Sequence, residues 1–194
     1  MAAPRGAVDD RRLRVDWLDR ASLRDARAGR LGLTFLPGKH GASFRYPGRV
    51  YRRDLDEDLA SLRADGVASL ILLVEDDELE HWGDPAIVQR AAEMSMPIER
   101  HPFADGTAPA SAAAMRSILA SIARAREIGD VAVACMGGVG RTGTVAACAL
   151  VESGWTAVAA VAEVRRVRHP TAVETDQQLS FVHAYAREVA RRSA

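Results

Sequence analysis

Residues 131–144, Val-Ala-Val-Ala-Cys-Met-Gly-Gly-Val-Gly-Arg-Thr-Gly-Thr, decide how this chain is read. Val131 to Ala134 is a short, wholly apolar run, the pattern of a strand buried on both faces of a parallel sheet. Gly137, Gly138 and Gly140 follow, and an apolar helix is predicted from Arg141 onward. A strand, a tight glycine loop and a helix N-terminus together make an anion site. Successive backbone N–H groups point into such a loop, and the helix dipole adds partial positive charge there.

Reactive side chains stand at both ends of the loop: Cys135 opens it and Arg141 closes it. A thiol at the focus of such dipoles is expected to ionise below the free value of about 8.5. The Arg141 guanidinium offers a planar fork to phosphate oxygens, and the Thr142 hydroxyl is placed to donate to the sulfur. Met136, Gly137, Gly138, Val139, Gly140 and Arg141 are therefore the expected phosphate-binding residues. No Lys follows the last glycine, which excludes the ATP-binding loop, and the dinucleotide fingerprint lacks its third glycine.

The pattern C-x-x-G-x-x-R-[S/T] over 135–142 resembles the signature of the cysteine-dependent tyrosine and dual-specificity protein phosphatases. Met136 to Thr142 looks closest to the kinase-associated phosphatase branch, which carries a similar Gly-Gly-x-Gly-Arg loop. The resemblance implies a phosphocysteine intermediate, no metal, no cofactor, and a phosphorylated protein or peptide as partner.

The 194 residues suffice for one domain with a substantial core, and 48 % hydrophobic with 27 % charged residues is ordinary globular composition. Acidic and basic side chains balance at 26 each, so no global field points to nucleic acid or an anionic membrane. Lys39 is the only lysine. Two cysteines cannot form a disulfide framework, and neither a signal peptide nor a run of about 18 apolar residues is present. A cytoplasmic location is expected; the oligomeric state is left open.

Along the chain, residues 1–14 are rich in Arg and Asp and read as a flexible leader, with the catalytic domain over 15–194. Val15 to Leu23 is expected to form a strand or short turn. Leu31 to Leu36 reads as a strand stopped by Pro37-Gly38, and Gly32 to Gly38 resembles an entry strand of the same branch. Residues 39–50 read as a polar loop that could shape a binding rim, with Lys39, His40, Arg45 and Arg49 facing a phosphorylated partner or simply solvent. A helix over Asp54 to Asp65, a strand over Val67 to Val74 and an acidic loop, Glu75-Asp76-Asp77-Glu78, follow. That acidic run reads as the N-terminal cap of the next helix, with a metal site as the alternative. Asp84-Pro85 is expected to cap and open a helix to about Met94, and Pro97 to Phe103 reads as a strand. An Ala-rich helix over 110–128 and helices over 142–152, 155–168 and 174–192 complete the pattern. Alternating strands and helices make this a single α/β domain with a central, largely parallel sheet flanked by helices, the phosphate-binding loop lying between a strand and a helix.

Phosphate-ester cleavage by a thiolate needs a general acid on a mobile loop. Asp105 follows a strand, precedes a helix and neighbours Gly106, and His101 to Pro109 resembles the family's acid loop; Asp76 and Asp77 are the fallback acids. Arg165 to Gln178 resembles the family's late region, which implies that Gln178 orients the attacking water. Glu174 stands where the family usually has Gln, and Ala134 where it usually has His before the nucleophile. These two departures support an alternative, a weakly active or inactive phospho-protein binding module; sulfur transfer through a persulfide on Cys135 is a third reading. Cys148 reads as a small core residue or a resolving thiol, and Trp82 and Trp155 as packing residues. Met136 to Gly140 holds no basic residue, which favours phosphoprotein over inositol lipid. No separate segment with a stacking Tyr stands out, so a shallow pocket is expected.

Overall fold

The computed structural model describes residues 7–9, 12–43 and 46–193. The first half of the chain contributes β1 (Ala7–Asp9), β2 (Asp16–Trp17), β3 (Leu31–Phe35), β4 (His40–Ala42), β5 (Arg49–Arg52), α1 (Leu55–Ala64), β6 (Val67–Leu72), α2 (Asp76–Trp82) and α3 (Ile87–Glu93). The second half contributes β7 (Ile98–Arg100), α4 (Ala112–Ile128), β8 (Asp130–Cys135), α5 (Gly140–Glu152), α6 (Ala157–Val167) and α7 (Asp176–Ser193). A five-stranded sheet runs in the order β2-β3-β8-β6-β7, with β2 antiparallel to β3 and the other neighbours parallel. This is the expected α/β domain.

Because strand side chains alternate, the sheet separates two cores. Along β8, Val131, Val133 and Cys135 enter one cluster, while Ala132 and Ala134 enter the other. β6 and the residues after it follow the same rule, with Ile71 and Leu73 on the first side and Leu70, Leu72 and Val74 on the second. The first core is covered by α4 to α7, with Met115, Val145, Val161 and Tyr185 among its contributors; the second is covered by α1 to α3 through Leu59, Leu62, Leu79 and Ile87. Cys135 therefore emerges at the carboxyl end of the middle strand, on the α5 side.

Local chemistry sets the element boundaries. Asp54 caps α1 by accepting from Glu57 N at 3.0 Å, and Leu55, Leu59 and Leu62 give that helix its buried face. Ser111 and Thr156 cap α4 and α6 in the same way. α5 is buried along nearly its whole length, which matches its Ala, Val and Gly content.

Within the expected leader, Ala7–Asp9 pairs in parallel with β5, and Leu13 is fully buried against the α1 side. Arg12 anchors this segment, donating to Ser61 Oγ at 2.8 Å and to Asp65 Oδ1 at 2.5 Å. Residues 1–6, 10 and 11 of the expected leader lie outside the described residues. The polar loop over 39–50 is instead largely a hairpin, β4 antiparallel to β5, inside a three-stranded sheet of order β1-β5-β4. Its partner strand comes from the chain's beginning, so no local apolar alternation announces it. At 84–87, the Asp84 side chain accepts from Ala86 N at 2.8 Å and closes a turn, which delays the start of α3 to Ile87. Trp155 packs as expected, with Nε1 donating to Ser22 O at 3.0 Å.

Candidate active site

β8 delivers Cys135 and α5 starts at Gly140, so the loop between them crosses the end of the sheet. Gly138 N donates to Cys135 Sγ at 3.2 Å. Gly138 adopts φ +65°, and a Cβ there would lie 2.2 Å from Thr34 O, so only glycine fits. Two cations hold the loop through its carbonyls. Arg168 Nε donates to Gly138 O at 2.8 Å, and Lys39 Nζ donates to Met136 O at 3.2 Å. A trans peptide points its C=O and its N–H in opposite directions, so these contacts turn the N–H groups of Gly137 and Val139 away from the two cations. Arg168 is itself fixed by Asp16 Oδ2 at 2.7 Å.

Arg141 is fully buried behind the loop. Its two terminal nitrogens donate to Glu78, NH1 to Oε2 and NH2 to Oε1, each at 2.6 Å. NH1 also donates to Phe103 O at 2.9 Å, and NH2 lies 3.1 Å from Asp105 Oδ1. Burial alone would pull this guanidinium down, but the Glu78 hydrogen bonds, with attraction from the Cys135 sulfur, Glu78 and Asp105, hold it above its ordinary value. Arg141 Nε and Thr142 Oγ1 are buried donors with no hydrogen-bond partner among the described residues. The expected Thr142 bond to the sulfur is thus not formed in this arrangement; the sulfur accepts from Gly138 N instead.

Asp105 sits on the loop after β7, and its side chain is 66 % exposed. The loop is tied to the segment before α7: Thr175 Oγ1 donates to Gly106 O at 2.8 Å and Gln178 Nε2 to Thr107 O at 3.0 Å. Gln178 is fully buried, and its Oε1 accepts from Glu174 N at 2.9 Å. A Cβ on Gly140 would lie 2.5 Å from Glu174 Oε2 and 3.1 Å from the Gln178 amide, so both side chains rest against the phosphate-binding loop.

The acidic run 75–78 does cap α2, with Glu75 and Glu78 forming a reciprocal capping box. Asp76 pairs with Arg100, and Asp77 accepts from Glu78 N at 3.0 Å. Among the described residues no group of three or more His, Cys, Asp or Glu side chains is arranged to hold a metal ion. Glu78 was not singled out from sequence; the only signal was the need of a buried guanidinium for a carboxylate. Cys148 is fully buried in the first core, where burial pushes its thiol up.

The loop around Cys135 borders a cleft of about 760 Å³, which Arg141, Thr142 and Gln178, all fully buried, do not line. Cys135, Met136, Gly137, Val139 and Asp105 line it, and so do Tyr46 and Tyr51. Lys39 and Arg49 of the expected rim line it as well, whereas Arg45 lies outside the described residues.

The fold and the loop define a phosphatase of the cysteine-dependent class. The family described as Swiss Army Knife protein, DSP-PTPase phosphatase domain, matches residues 49–193, and the chain belongs to it. It is a cysteine-dependent protein phosphatase of the tyrosine and dual-specificity type. Human cyclin-dependent kinase inhibitor 3 is 24 % identical over 180 residues, covering 92 % of this chain and 81 % of that protein. A crystal structure of kinase associated phosphatase, its catalytic-site cysteine replaced by serine, superposes with a TM-score of 0.81 at 22 % identity, covering 94 % of this chain and 98 % of the other. The active form of Tk-PTP is 31 % identical with a TM-score of 0.64, covering 84 % and 93 % of the two chains. No helix among the described residues is long and apolar enough to cross a membrane.

Proposed function

We propose that the protein removes phosphate from phosphotyrosine, and also from phosphoserine or phosphothreonine, on a protein or peptide substrate in two steps at Cys135. In the first, the Cys135 thiolate attacks phosphorus while the P–O bond to the substrate breaks. Asp105 gives its proton to the departing oxygen, worth about 10²–10⁴-fold. The loop N–H groups from Met136 to Arg141 and the Arg141 fork hold the equatorial oxygens. In the second step water attacks the phosphocysteine, Asp105 takes the water proton, and the S–P bond breaks to release inorganic phosphate and the thiolate. The Thr142 hydroxyl, without a partner in this arrangement, turns to the leaving sulfur in this step. Gln178, whose amide is bonded to backbone at Thr107 and Glu174, holds the acid loop against the site, and orienting the attacking water is its expected further role.

One observation carries this reading: Asp105 and Cys135, from distant segments, line one cleft, and Asp105 lies 3.1 Å from the buried Arg141. Tyr46 and Tyr51 on the wall support an aromatic phosphoester. The relatives named kinase associated phosphatase and cyclin-dependent kinase inhibitor 3 support a phosphorylated protein, such as a kinase, as the kind of partner. The catalytic domain takes in residues 15–194. Two unpaired cysteines support a reducing compartment, the cytoplasm.

Hydrolysis of p-nitrophenyl phosphate in EDTA tests the scheme. Cys135→Ser should abolish turnover, and Asp105→Asn should slow esters with poor leaving groups most. Normal hydrolysis by Cys135→Ser would refute the mechanism. Folded wild-type protein that binds vanadate without turnover would make it a binding module.

A further inference from the structure

We propose that His101 is a positioning residue for the general acid: with Glu99 and Ser121 it clamps the strand that enters the Asp105 loop to the helix that leaves it. This rests on the phosphatase reading above. β7 is three residues long and stands at the sheet edge, paired among the described strands with β6 alone. The acid loop springs from its end, and regular structure resumes at Ala112 with α4. Proton delivery asks more of this stem than a short edge strand supplies. A reacting group displaced by about 1 Å can cost on the order of 10²-fold in rate.

Side chains from the two elements meet at this point. His101 Nε2 lies 3.0 Å from Ser121 Oγ and 3.2 Å from Glu99 Oε1. Arg124 NH2 donates to Ser121 Oγ at 3.0 Å and to Glu99 Oε1 at 3.3 Å. Ser121 is 1 % exposed, so its hydroxyl must be satisfied by protein. It has one proton, which it donates to Glu99 Oε1, with Ser117 O at 3.2 Å as the other acceptor in reach. The hydroxyl oxygen is left to accept, so the His101 nitrogen that faces it must carry a proton. Glu99 keeps its charge in this setting. The Ser121 hydrogen bond leads, burial opposes it, and attraction from His101 and Arg124 adds to it, which holds the carboxyl below the usual range.

From the clamp the chain reaches the acid in four residues, with little freedom on the way. His101 N donates to Leu72 O at 2.9 Å, Pro102 fixes its own φ, and Phe103 O accepts from Arg141 NH1 at 2.9 Å. Ala104 O then accepts from Thr107 N at 3.2 Å and Thr107 Oγ1 at 2.7 Å, closing the turn that carries Asp105. Thr175 and Gln178 hold the far side of that turn, at Gly106 O and Thr107 O. The near side is tied to α4 through His101, whose partner Ser121 lies 20 residues further along the chain. His101 does not line the cleft, so its influence on the reaction passes through Asp105 and not through the phosphate.

The test compares phenyl phosphate, whose poor leaving group needs the acid, with p-nitrophenyl phosphate, whose good one needs it little. His101→Ala should lower kcat for phenyl phosphate by about tenfold and for p-nitrophenyl phosphate by less than about twofold, with both KM values within about twofold of wild type. His101→Gln, which keeps an N–H donor, should recover most of that loss. In an Asp105→Asn background, His101→Ala should have no further effect on either ester, because the group it positions is gone. Ser121→Ala removes a single hydroxyl and should slow phenyl phosphate selectively by about threefold, so it carries the test if His101→Ala does not fold. Equal losses on both esters in folded protein, the same loss repeated in the Asp105→Asn background, or no change in either clamp variant would each overturn the proposal. Those results leave the phosphatase reading standing. A wild type that hydrolyses neither ester would overturn that reading and the clamp with it.

Discussion

Glu78→Gln is the most informative single change at the Arg141 site. The substitution keeps size and one acceptor oxygen but removes the carboxylate that accepts from both terminal nitrogens of Arg141 at 2.6 Å. Arg141 is fully buried and Glu78 is 6 % exposed, so water cannot replace the lost charge. Breaking a buried pair on one side typically costs about 3–5 kcal/mol. Asp105 at 3.1 Å and the carbonyls of Leu73 and Phe103 still face the guanidinium, which places the expected loss near the lower end, about 3 kcal/mol. With a urea slope of about 2 kcal/mol/M, that moves the unfolding midpoint down by about 1.5 M. Turnover should fall as well, because a fork displaced by about 1 Å is worth on the order of 10²-fold. Urea titrations of wild type and variant, paired with p-nitrophenyl phosphate kinetics, read both effects. A stability loss below about 1 kcal/mol with unchanged kcat would show that Glu78 is dispensable and that backbone alone holds Arg141.

Gly138→Ala should lose turnover and destabilise the fold by at least about 1–3 kcal/mol, since its Cβ would meet Thr34 O at 2.2 Å with φ at +65°; calorimetry and kinetics check this. Thr175→Val removes the 2.8 Å bond to Gly106 O and loosens the acid loop. Phenyl phosphate hydrolysis should drop about tenfold while p-nitrophenyl phosphate changes little, with Thr175→Ser restoring it. Equal losses on both esters would argue against a role for the latch. Burial raises the Asp130 carboxyl, but hydrogen bonds from the Arg30 side chain and backbone outweigh it and hold the group below its ordinary range. Its contribution is therefore present above the unfolded value of about 3.9 and disappears as pH falls through the lower folded value. Asp130→Asn should be less stable than wild type at neutral pH, and the gap should narrow in thermal melts taken below about pH 4.

Legibility in the sequence followed how local each signal was. The run from β8 through the glycines into α5 could be read because its apolar strand, loop and helix are contiguous. The α1 helix was equally plain, with Asp54 before a spaced set of leucines. The hairpin over 40–52 was not, because its strands are polar and glycine-punctuated and its third strand, Ala7–Asp9, lies some forty residues earlier in a segment that reads as solvated. Leu13 is one apolar residue among arginines, and nothing within that segment reveals that it meets the α1 side of the core. The Glu78–Arg141 pair spans 63 positions and hides inside a capping box that already accounts for an acidic residue there. Long-range pairing of polar groups leaves no periodicity to read.

The same long-range contacts show how the loop is held where Ala134 replaces the His usual in similar phosphatases. Ala134 is packed in the second core and has no polar atom with which to hold the loop. The Met136 and Gly138 carbonyls are instead held by Lys39 and Arg168, and Arg168 is in turn fixed by Asp16 beside β2. Lys39 precedes the hairpin and Asp16 belongs to the edge strand, so this support of the loop comes from the β2–β3 side of the sheet. The Asp105 loop, by contrast, is tied to Thr175 and Gln178 ahead of and within α7. The Asp105 loop and the loop around Cys135 are thus held by different parts of the chain. A change at Thr175 need not disturb the cradle, whereas a change at Lys39 or Arg168 would reach the cradle directly.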